Sequence, residues 1–557
     1  MKNKKLIGTV VAAITLLIIS GLFYMRWDLT EDKRYSFSDS TKSVLDSIDQ
    51  PVQINVFLDG ELTGNFRVLQ NETRFLLNEL NRRNSRIQYK FIDALQENLN
   101  IDSLRAIGVA DVSVPTNEKI LRVLPFATIQ TQGKAATIPL LSNKKIPIEQ
   151  RALASADILE TNFIREIYRL SFKKRKNIGL IVHHDELLPN YLDGLFRVAA
   201  KDYDITPYTQ PLQNPEGSLQ ISDLENLKEF DALIVAKPIR PFSDLDKLVL
   251  DQYIMNGGKM LWMTESVDAE MDSLFRSQRI VSFPRNNNLT DLFFAYGIRI
   301  MPAVIKDLQS GYITLAIGEA GDNTAYEQFP WPYFPLSIPR GEHPITRKIS
   351  NPLRFEFANP IEILERDSVN VDVLLTTSAQ VQLQQPLSYI DFSEIEKTNT
   401  ENYPTQPGVY PMAVLLQGYF NSAYKGRIES QTTPHFKARS DLNEMIIISD
   451  GDFAKNHIFR GEPLPLGADK YSMRPDIAAA PNVIYDNATF IINSLDYLTG
   501  DDMMIELQEK QRTMHLLDKN QVAAQKNTWR WYNIIIPISL IWTLGLIGIW
   551  WRRKHYS

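Results

Sequence analysis

The chain has 557 residues, 44% apolar and 23% charged, with a formal charge of −6. At about 150 residues per domain this length holds three or four folded units, and the near balance of charge argues against a disordered or nucleic-acid-coating protein. The absence of cysteine excludes disulfides, thiolate nucleophiles, Cys-ligated zinc and iron–sulfur clusters.

Leu6 to Met25 is a run of 20 uncharged residues, enough at about 1.5 Å per residue to cross the roughly 30 Å hydrocarbon layer as a helix. Lys2, Lys4 and Lys5 precede it and no small-residue cleavage site follows, so 1–26 reads as an uncleaved anchor rather than a signal peptide. The first soluble unit is expected over 33–145. Pro51 to Leu58 alternates like a half-buried strand, and Phe66, Leu69, Thr73, Leu76, Leu77 and Leu80 recur at helical spacing. Arg86 to Ile92 is again strand-like, a short helix falls near Ile101 to Ile107, and Leu121 to Gln130 with Ala135 to Leu141 reads as a hairpin around Gly133. The order β-α-β-α-β-β suits a thioredoxin-like domain, and with no Cys-x-x-Cys it can serve only for binding or scaffolding.

An α/β body is expected over 150–500. An amphipathic helix from about Ala152 to Leu170 leads through Lys173-Lys174-Arg175-Lys176, either a lipid or partner contact or a solvated turn, into the strand Ile178 to Val182. Strands at Asp231 to Ala236 and Lys259 to Met263, with a helix near Ser243 to Asn256 between them, predict a Rossmann-like parallel sheet covered on both faces. Leu289 to Tyr296 is a helix capped by Gly297, and Ile298 to Val304 another strand. A β-rich insertion is expected over about 305–440. Within it Phe329-Pro330-Trp331-Pro332-Tyr333-Phe334-Pro335 reads as a stiff loop, exposed to a partner or folded back on its own domain. Gln380 to Gln406 reads as a long loop between strands at Val371 to Thr376 and Val409 to Gly418. Glu444 to Ser449 returns as a buried strand, Asn487 to Leu498 as a helix, and 501–530 as a polar helical stalk.

Asn533 to Trp551 supplies a second uncharged run of 19 residues, with Pro537 expected in its first turn and Arg552-Arg553-Lys554 after it. Five of the eight tryptophans, Trp27, Trp529, Trp531, Trp550 and Trp551, flank the two runs, as interfacial rings do. The positive-inside rule then places both termini in the cytoplasm and residues of about 27–528 in the periplasm, with the inner membrane crossed twice.

Ligands of open α/β sheets gather at the carboxyl ends of strands. That rule selects His183-His184-Asp185-Glu186, Thr264-Glu265 and Asp450-Gly451-Asp452, with Trp331 and Tyr333 as further candidate partner contacts. A His-carboxylate group can bind a metal or act as acid and base, but polar residues capping strand ends are common, and Asp450-Gly451-Asp452 is also turn chemistry. The chain has no H-E-x-x-H, no P-loop, no G-x-S-x-G and no G-x-G-x-x-G, so neither a catalytic residue, a metal nor a cofactor is assigned.

Three stretches carry a family resemblance. Arg34-Tyr-Ser-Phe-Ser-Asp-Ser-Thr-Lys-Ser-Val-Leu45 with Pro51 to Glu61, Pro241 to Lys259, and Ile448-Ser-Asp-Gly-Asp-Phe-Ala-Lys-Asn456 resemble the gliding-motility ABC-transporter auxiliary proteins of the GldG type, whose members are often labelled substrate-binding proteins. The resemblance spans nearly the whole chain and implies a permease and a cytoplasmic ATPase as partners; the apolar runs add the lipid bilayer, and the charge balance speaks against nucleic acid. The α/β body also resembles class I glutamine-amidotransferase-like domains, whose nucleophilic cysteine this chain lacks. The expectation is a non-catalytic ABC-transporter subunit. A tethered receptor for a saccharide or peptide is the alternative, and an anchored hydrolase using His184 and nearby carboxylates the third reading.

Overall fold

The computed structural model describes residues 37–556, apart from 117–118, 143–145, 214–216, 318–324, 340–342, 348, 399–402, 404, 406–407, 428–435, 475–483 and most of 502–518. The expected span at Leu6 to Met25 lies outside the described residues.

Ser38 caps the first described helix, α1 (Asp39–Ser47), by accepting the Thr41 N–H. The chain continues as β1 (Val52–Val56), α2 (Gly64–Arg83), β2 (Ile87–Phe91) and α3 (Ile101–Ala106). A hairpin of β3 (Val112–Pro115) and β4 (Ile120–Val123) precedes β5 (Phe126–Thr131) and β6 (Lys134–Pro139). The sheet order is β2-β1-β5-β6, with β1 parallel to β2 and antiparallel to β5. The apolar run over Leu121 to Gln130 is thus two strands. It breaks at Leu124 and Pro125, where proline has no N–H for a ladder. α2 buries Phe66, Leu69, Leu76, Leu77 and Leu80, the face that the helical spacing marked.

Helices α4 (Ile148–Ala154) and α5 (Leu159–Ser171) close this same core through Ala152, Leu159, Phe163, Ile164 and Ile167. The sequence reading put that stretch at the head of the second unit. An amphipathic pattern marks a face to be buried but not the surface that buries it. Lys173, in the basic stretch that follows, turns inward. Its Nζ lies 2.9 Å from Asp496 and 3.1 Å from Asp501, while Arg175 and Lys176 pair with Asp204 and Asp231 nearer the surface.

The α/β body begins with β7 (Lys176–Ile181), α6 (Pro189–Ala199), β8 (Tyr203–Tyr208), β9 (Ala232–Ala236), α7 (Asp244–Met255) and β10 (Met260–Met263). Ser243 and Asp246 form a capping box that starts α7. Helix α8 (Thr290–Tyr296) ends at Gly297 with φ +100°, where a Cβ would stand 3.0 Å from the Leu364 carbonyl oxygen. Then come β11 (Ser310–Ile317), β12 (Ala325–Ser337), β13 (Val369–Thr376), β14 (Pro411–Asn421), β15 (Arg439–Ile448) and α9 (Asn487–Leu498).

The main sheet has seven strands in the order β13-β14-β15-β10-β9-β7-β8. From β15 to β8 every pair is parallel, whereas β14 is antiparallel to both β15 and β13. The strands expected to form a parallel sheet, β7, β9 and β10, do so, and beyond β15 the sheet is extended by β14, which runs against the rest, and by β13. The segment expected as an insertion over 305–440 supplies two strands of that central sheet. Continuous apolar runs show that a strand is buried, but not which way it points.

Two expected loops are structured. Gln380 to Gln406 contains strands at Val381–Gln384 and Tyr389–Asp391 and a helix at Glu394–Thr398. The aromatic and proline segment is part of β12, with Trp331, Tyr333 and Phe334 fully buried. Alternation sends Trp331 and Tyr333 to one face. The register break between Ser310 and Tyr312 of β11, opposite this segment, suits prolines that have no N–H to give.

The C-terminal helix α10 (Lys519–Tyr556) belongs to a separate unit from Phe37–Lys510. Within its stretch Arg530–Trp551 an 18-residue window reaches a mean hydropathy of 2.0 with none of that window buried, and the stretch is long and apolar enough to cross a membrane. Because α10 starts at Lys519, Pro537 lies in its interior rather than in a first turn, a point where the backbone ladder is interrupted. Most of the expected stalk at 501–530 ahead of Lys519 lies outside the described residues.

Candidate functional site

Strands β15, β10, β9 and β7 are neighbours and parallel, so their carboxyl ends lie in a row. β15 runs into Asp450-Gly451-Asp452, where the Asp450 carboxylate accepts the Asp452 N–H at 2.8 Å in a tight turn. β10 runs into Thr264 and Glu265. Carboxylate oxygens of Glu265, Asp450 and Asp452 all lie within 4.8 Å of one another.

The cations beside them come from residues the sequence reading passed over. Lys237, directly after β9 and in a left-handed conformation with φ +56°, bonds Asp452 at 2.5 Å and Glu270, and lies 3.8 Å from Glu265. Lys455 pairs with Asp452 at 2.8 Å and Glu270 at 3.3 Å, and Arg285 pairs with Glu265 at 3.1 Å. Gly451 is required where these groups meet, since a Cβ there would lie 2.6 Å from Lys237 Cγ and 2.8 Å from Glu265 Oε2. Further along, Arg354 joins Glu356 at 3.1 Å and Asp469 at 2.9 Å, and donates to His457 Nε2 at 2.8 Å.

Burial and charge divide the acids into two kinds. Burial alone would raise Asp452, yet Lys237 and Lys455 hold its carboxyl well below the ordinary range. Burial and the neighbouring Asp452 charge push Asp450 well up. Glu265 rises to about 7, chiefly through burial. Burial, then the adjacent Arg354 cation, pushes His457 down to about 3, so it is neutral. Asp452, held between Lys237 and Lys455, stays ionised, whereas burial displaces Asp450 and Glu265 toward the neutral form even though Arg285 stands beside Glu265. The cavity against this network, lined by Arg354, Glu356, Asp450, Asp452, Lys455 and Tyr485 among others, has about 20 Å³, room for one water. Chemically the arrangement is an internal clamp that ties the ends of three sheet strands to the segments bearing Glu270, Arg285 and Arg354. The three acids could coordinate a cation only by displacing Lys237 or Lys455.

The histidines form a separate group. His184 is buried between Glu186, 3.2 Å from Nδ1, and Asp246, 3.3 Å from Nε2, and stacks on Phe242 at 3.6 Å. Burial works against its charge, but Asp246 and Glu186 outweigh it and raise the imidazole pKa. Asp246 is the same residue that caps α7, so His184 locks the loop after β7 onto that helix. His183 is buried edge-on to Tyr208, and burial lowers its pKa. Asp185 is exposed and pairs with Arg240 at 2.9 Å. Of the candidate residues, then, Glu265, Asp450 and Asp452 converge, the His pair and Asp185 do not join them, and Trp331 and Tyr333 are core. The carboxyl-end rule applied to Ala236 would have found Lys237, and Lys455 stands three residues after Asp452. Glu270, Arg285, Arg354 and Asp469 carry no such local signal.

A model of the ABC transporter auxiliary family, described as an ABC-type uncharacterized transport system, matches residues 175–494, and the chain belongs to that family. A domain of unknown function (DUF7088) matches residues 31–130. No curated protein matches the chain. Among solved structures it is similar to the mmIFT52 N-terminal domain, at 13% identity over 58% of this chain and 97% of that one, with a TM-score of 0.33. It is also similar to a putative thuA-like protein from Parabacteroides merdae ATCC 43184, at 8% identity over 59% and 91% of the two chains and a TM-score of 0.28. The exo-β-1,4-mannosidase Op5Man5 from Opitutaceae bacterium strain TAV5 matches at 11% identity over 55% of this chain and 35% of that one, with a TM-score of 0.19. At such scores these three likenesses carry no functional argument.

Proposed function

We propose that the chain is a non-catalytic subunit of an ABC-type transport system, of the gliding-motility GldG type. Two spans hold it beside a permease in the inner membrane, with thioredoxin-like and Rossmann-like bodies in the periplasm, while a separate cytoplasmic ATPase supplies the energy. The observation that carries the reading is the family match over 175–494, joined on this chain to an apolar helix of membrane-spanning length. The non-catalytic part is supported by the strand-end network, whose carboxyl groups are paired with Lys237, Lys455, Arg285 and Arg354 beside a cavity of one-water size. A catalytic acid or base needs access to a substrate, and these groups are spent on one another.

The test is co-purification of the intact chain with a permease and an ATPase from membranes of the native host. Loss of that complex when Arg530–Trp551 is replaced by a generic anchor supports the reading, and isolation of the chain as a lone monomer refutes it. The tethered-receptor reading is favoured by a second, open cavity, lined by Val373, Leu374 and Thr376 of β13.

A further inference from the structure

Beside the end of β13 lies a cleft of about 600 Å³, within the size range of ligand pockets. One wall is the end of β13 and the loop after it, Val373, Leu374, Thr376 and Thr377 to Gln380; the other is the end of β12, Ser337 to Pro339, with Gln309 and His343.

Three features place a ligand there. β13 is the last strand of the seven-stranded sheet, so along the cleft its outer edge pairs with no strand among the described residues. Its ladder to β14 shifts register at Val373/Leu375 and again at Leu375/Thr376, and these bulges re-aim successive residues so that Val373, Leu374 and Thr376 all line the cleft. β13 also runs in the same direction as β15 and the parallel strands, since both are antiparallel to β14, so the cleft opens at the carboxyl end of the sheet, where ligands of such sheets bind.

The lining chemistry selects the ligand class. Thr376, Gln309 and Gln380 bring hydroxyl and amide groups between the apolar Ile338, Val373 and Leu374, while Ser337 Oγ accepts the Thr376 N–H and the Thr377 and Ser378 hydroxyls donate to the Ser378 carbonyl and to Asp307. At the end of this edge the Thr376 N–H is already taken by Ser337 Oγ at 3.2 Å, so the edge open to a ligand is the part of β13 before it. Burial lowers the pKa of His343, so its ring is neutral at neutral pH. Among the described lining residues there is no Asp, Glu, Lys or Arg, and no aromatic platform of the kind on which sugars stack.

We infer that this cleft binds an extended peptide segment with small apolar and hydroxyl side chains, added as a further strand on the outer edge of β13. Main-chain hydrogen bonds to an edge strand supply affinity, and alternate side-chain pockets supply selectivity. The inference deepens the cargo or partner component of the proposed function.

The experiment uses the full chain in lipid nanodiscs. A degenerate library of capped peptides of eight residues, the length of β13, built from Thr, Ser, Val, Leu and Gln, is screened by affinity selection with mass spectrometry, alongside a charged library and the neutral saccharides maltotetraose and cellotetraose. The uncharged peptides are retained by the wild type, and retention falls about tenfold in Val373→Asp and in Ile338→Asp, at positions 42% and 46% exposed, where folding tolerates the change. Saturating peptide slows amide exchange over residues 370–378. Retention of no peptide, equal retention by both variants, unchanged exchange, or retention of saccharides in place of peptides overturns the inference. Neither permease nor ATPase is needed for this measurement, so its failure leaves the co-purification test standing.

Discussion

Replacing Lys237 with Met removes the cation that bridges Asp452 and Glu270 while keeping most of the side-chain volume. The Lys237 side chain is 3% exposed and that of Asp452 2%, so the partner is left with a buried charge compensated only by Lys455. Breaking a buried pair from one side costs about 3–5 kcal/mol. The matched region 175–494 has about 320 residues, for which an unfolding entropy near 2.1 cal/mol/K per residue gives about 0.7 kcal/mol/K. The midpoint of thermal unfolding therefore falls by about 4–7 °C. The assay is near-UV circular dichroism and intrinsic fluorescence of the full chain in nanodiscs at neutral pH, to which the buried Trp262 and Trp331 contribute.

The pH dependence gives a second, independent check. In the wild type the Asp452 pKa is depressed, so its contribution is present above the unfolded value of 3.8 and is lost only as pH falls through the lower folded value. In Lys237→Met the folded pKa rises, so the variant recovers as Asp452 protonates, and the gap from wild type narrows from pH 8 to pH 5. Adding Asp452→Asn removes the orphaned charge and restores at least half of the loss. A midpoint shift below about 2 °C that is the same at both pH values, or no recovery in the double variant, refutes the reasoning.

Trp331→Ala, at a core position of β12, destabilises the chain by about 3–5 kcal/mol in urea unfolding, whereas an exposed docking loop would leave stability within about 0.5 kcal/mol. Gly451→Ala drives a methyl group against Lys237 and Glu265 and costs about 1–3 kcal/mol by the same measurement, with the midpoint falling accordingly. His184 has a raised pKa, so its charge contributes stability in full below the ordinary imidazole value of 6.5, and that contribution is lost as pH rises through the folded value above it. The stability gap between wild type and His184→Gln is therefore largest near pH 5.5 and shrinks above neutrality. A gap that grows with pH refutes the ion-pair assignment.

Elements whose burial follows from local periodicity were legible in the chain itself. The face of α2, the capping of α7 by Ser243, the end of α8 at Gly297 and the bounds of α9 all rest on neighbours within a few residues, and short-range sterics and hydrogen bonds decide them. The apolar run from Arg530 to Trp551 is legible for the same reason, since hydropathy is a property of the run alone. Glu265, Asp450 and Asp452 were readable as strand ends because the topology of parallel sheets places such residues together.

Other features depend on partners far away in sequence. The tertiary fold sent α5 into the first core and Trp331 into the interior, and it turned β14 against the direction of the rest of the sheet, because each choice depends on which distant surface offers burial. The counter-ions of the buried acids likewise come from separate segments, at Lys237, Arg285 and Arg354, and Glu270 shares two of the cations from yet another. No local pattern encodes a charge pair whose members meet only when the sheet has formed.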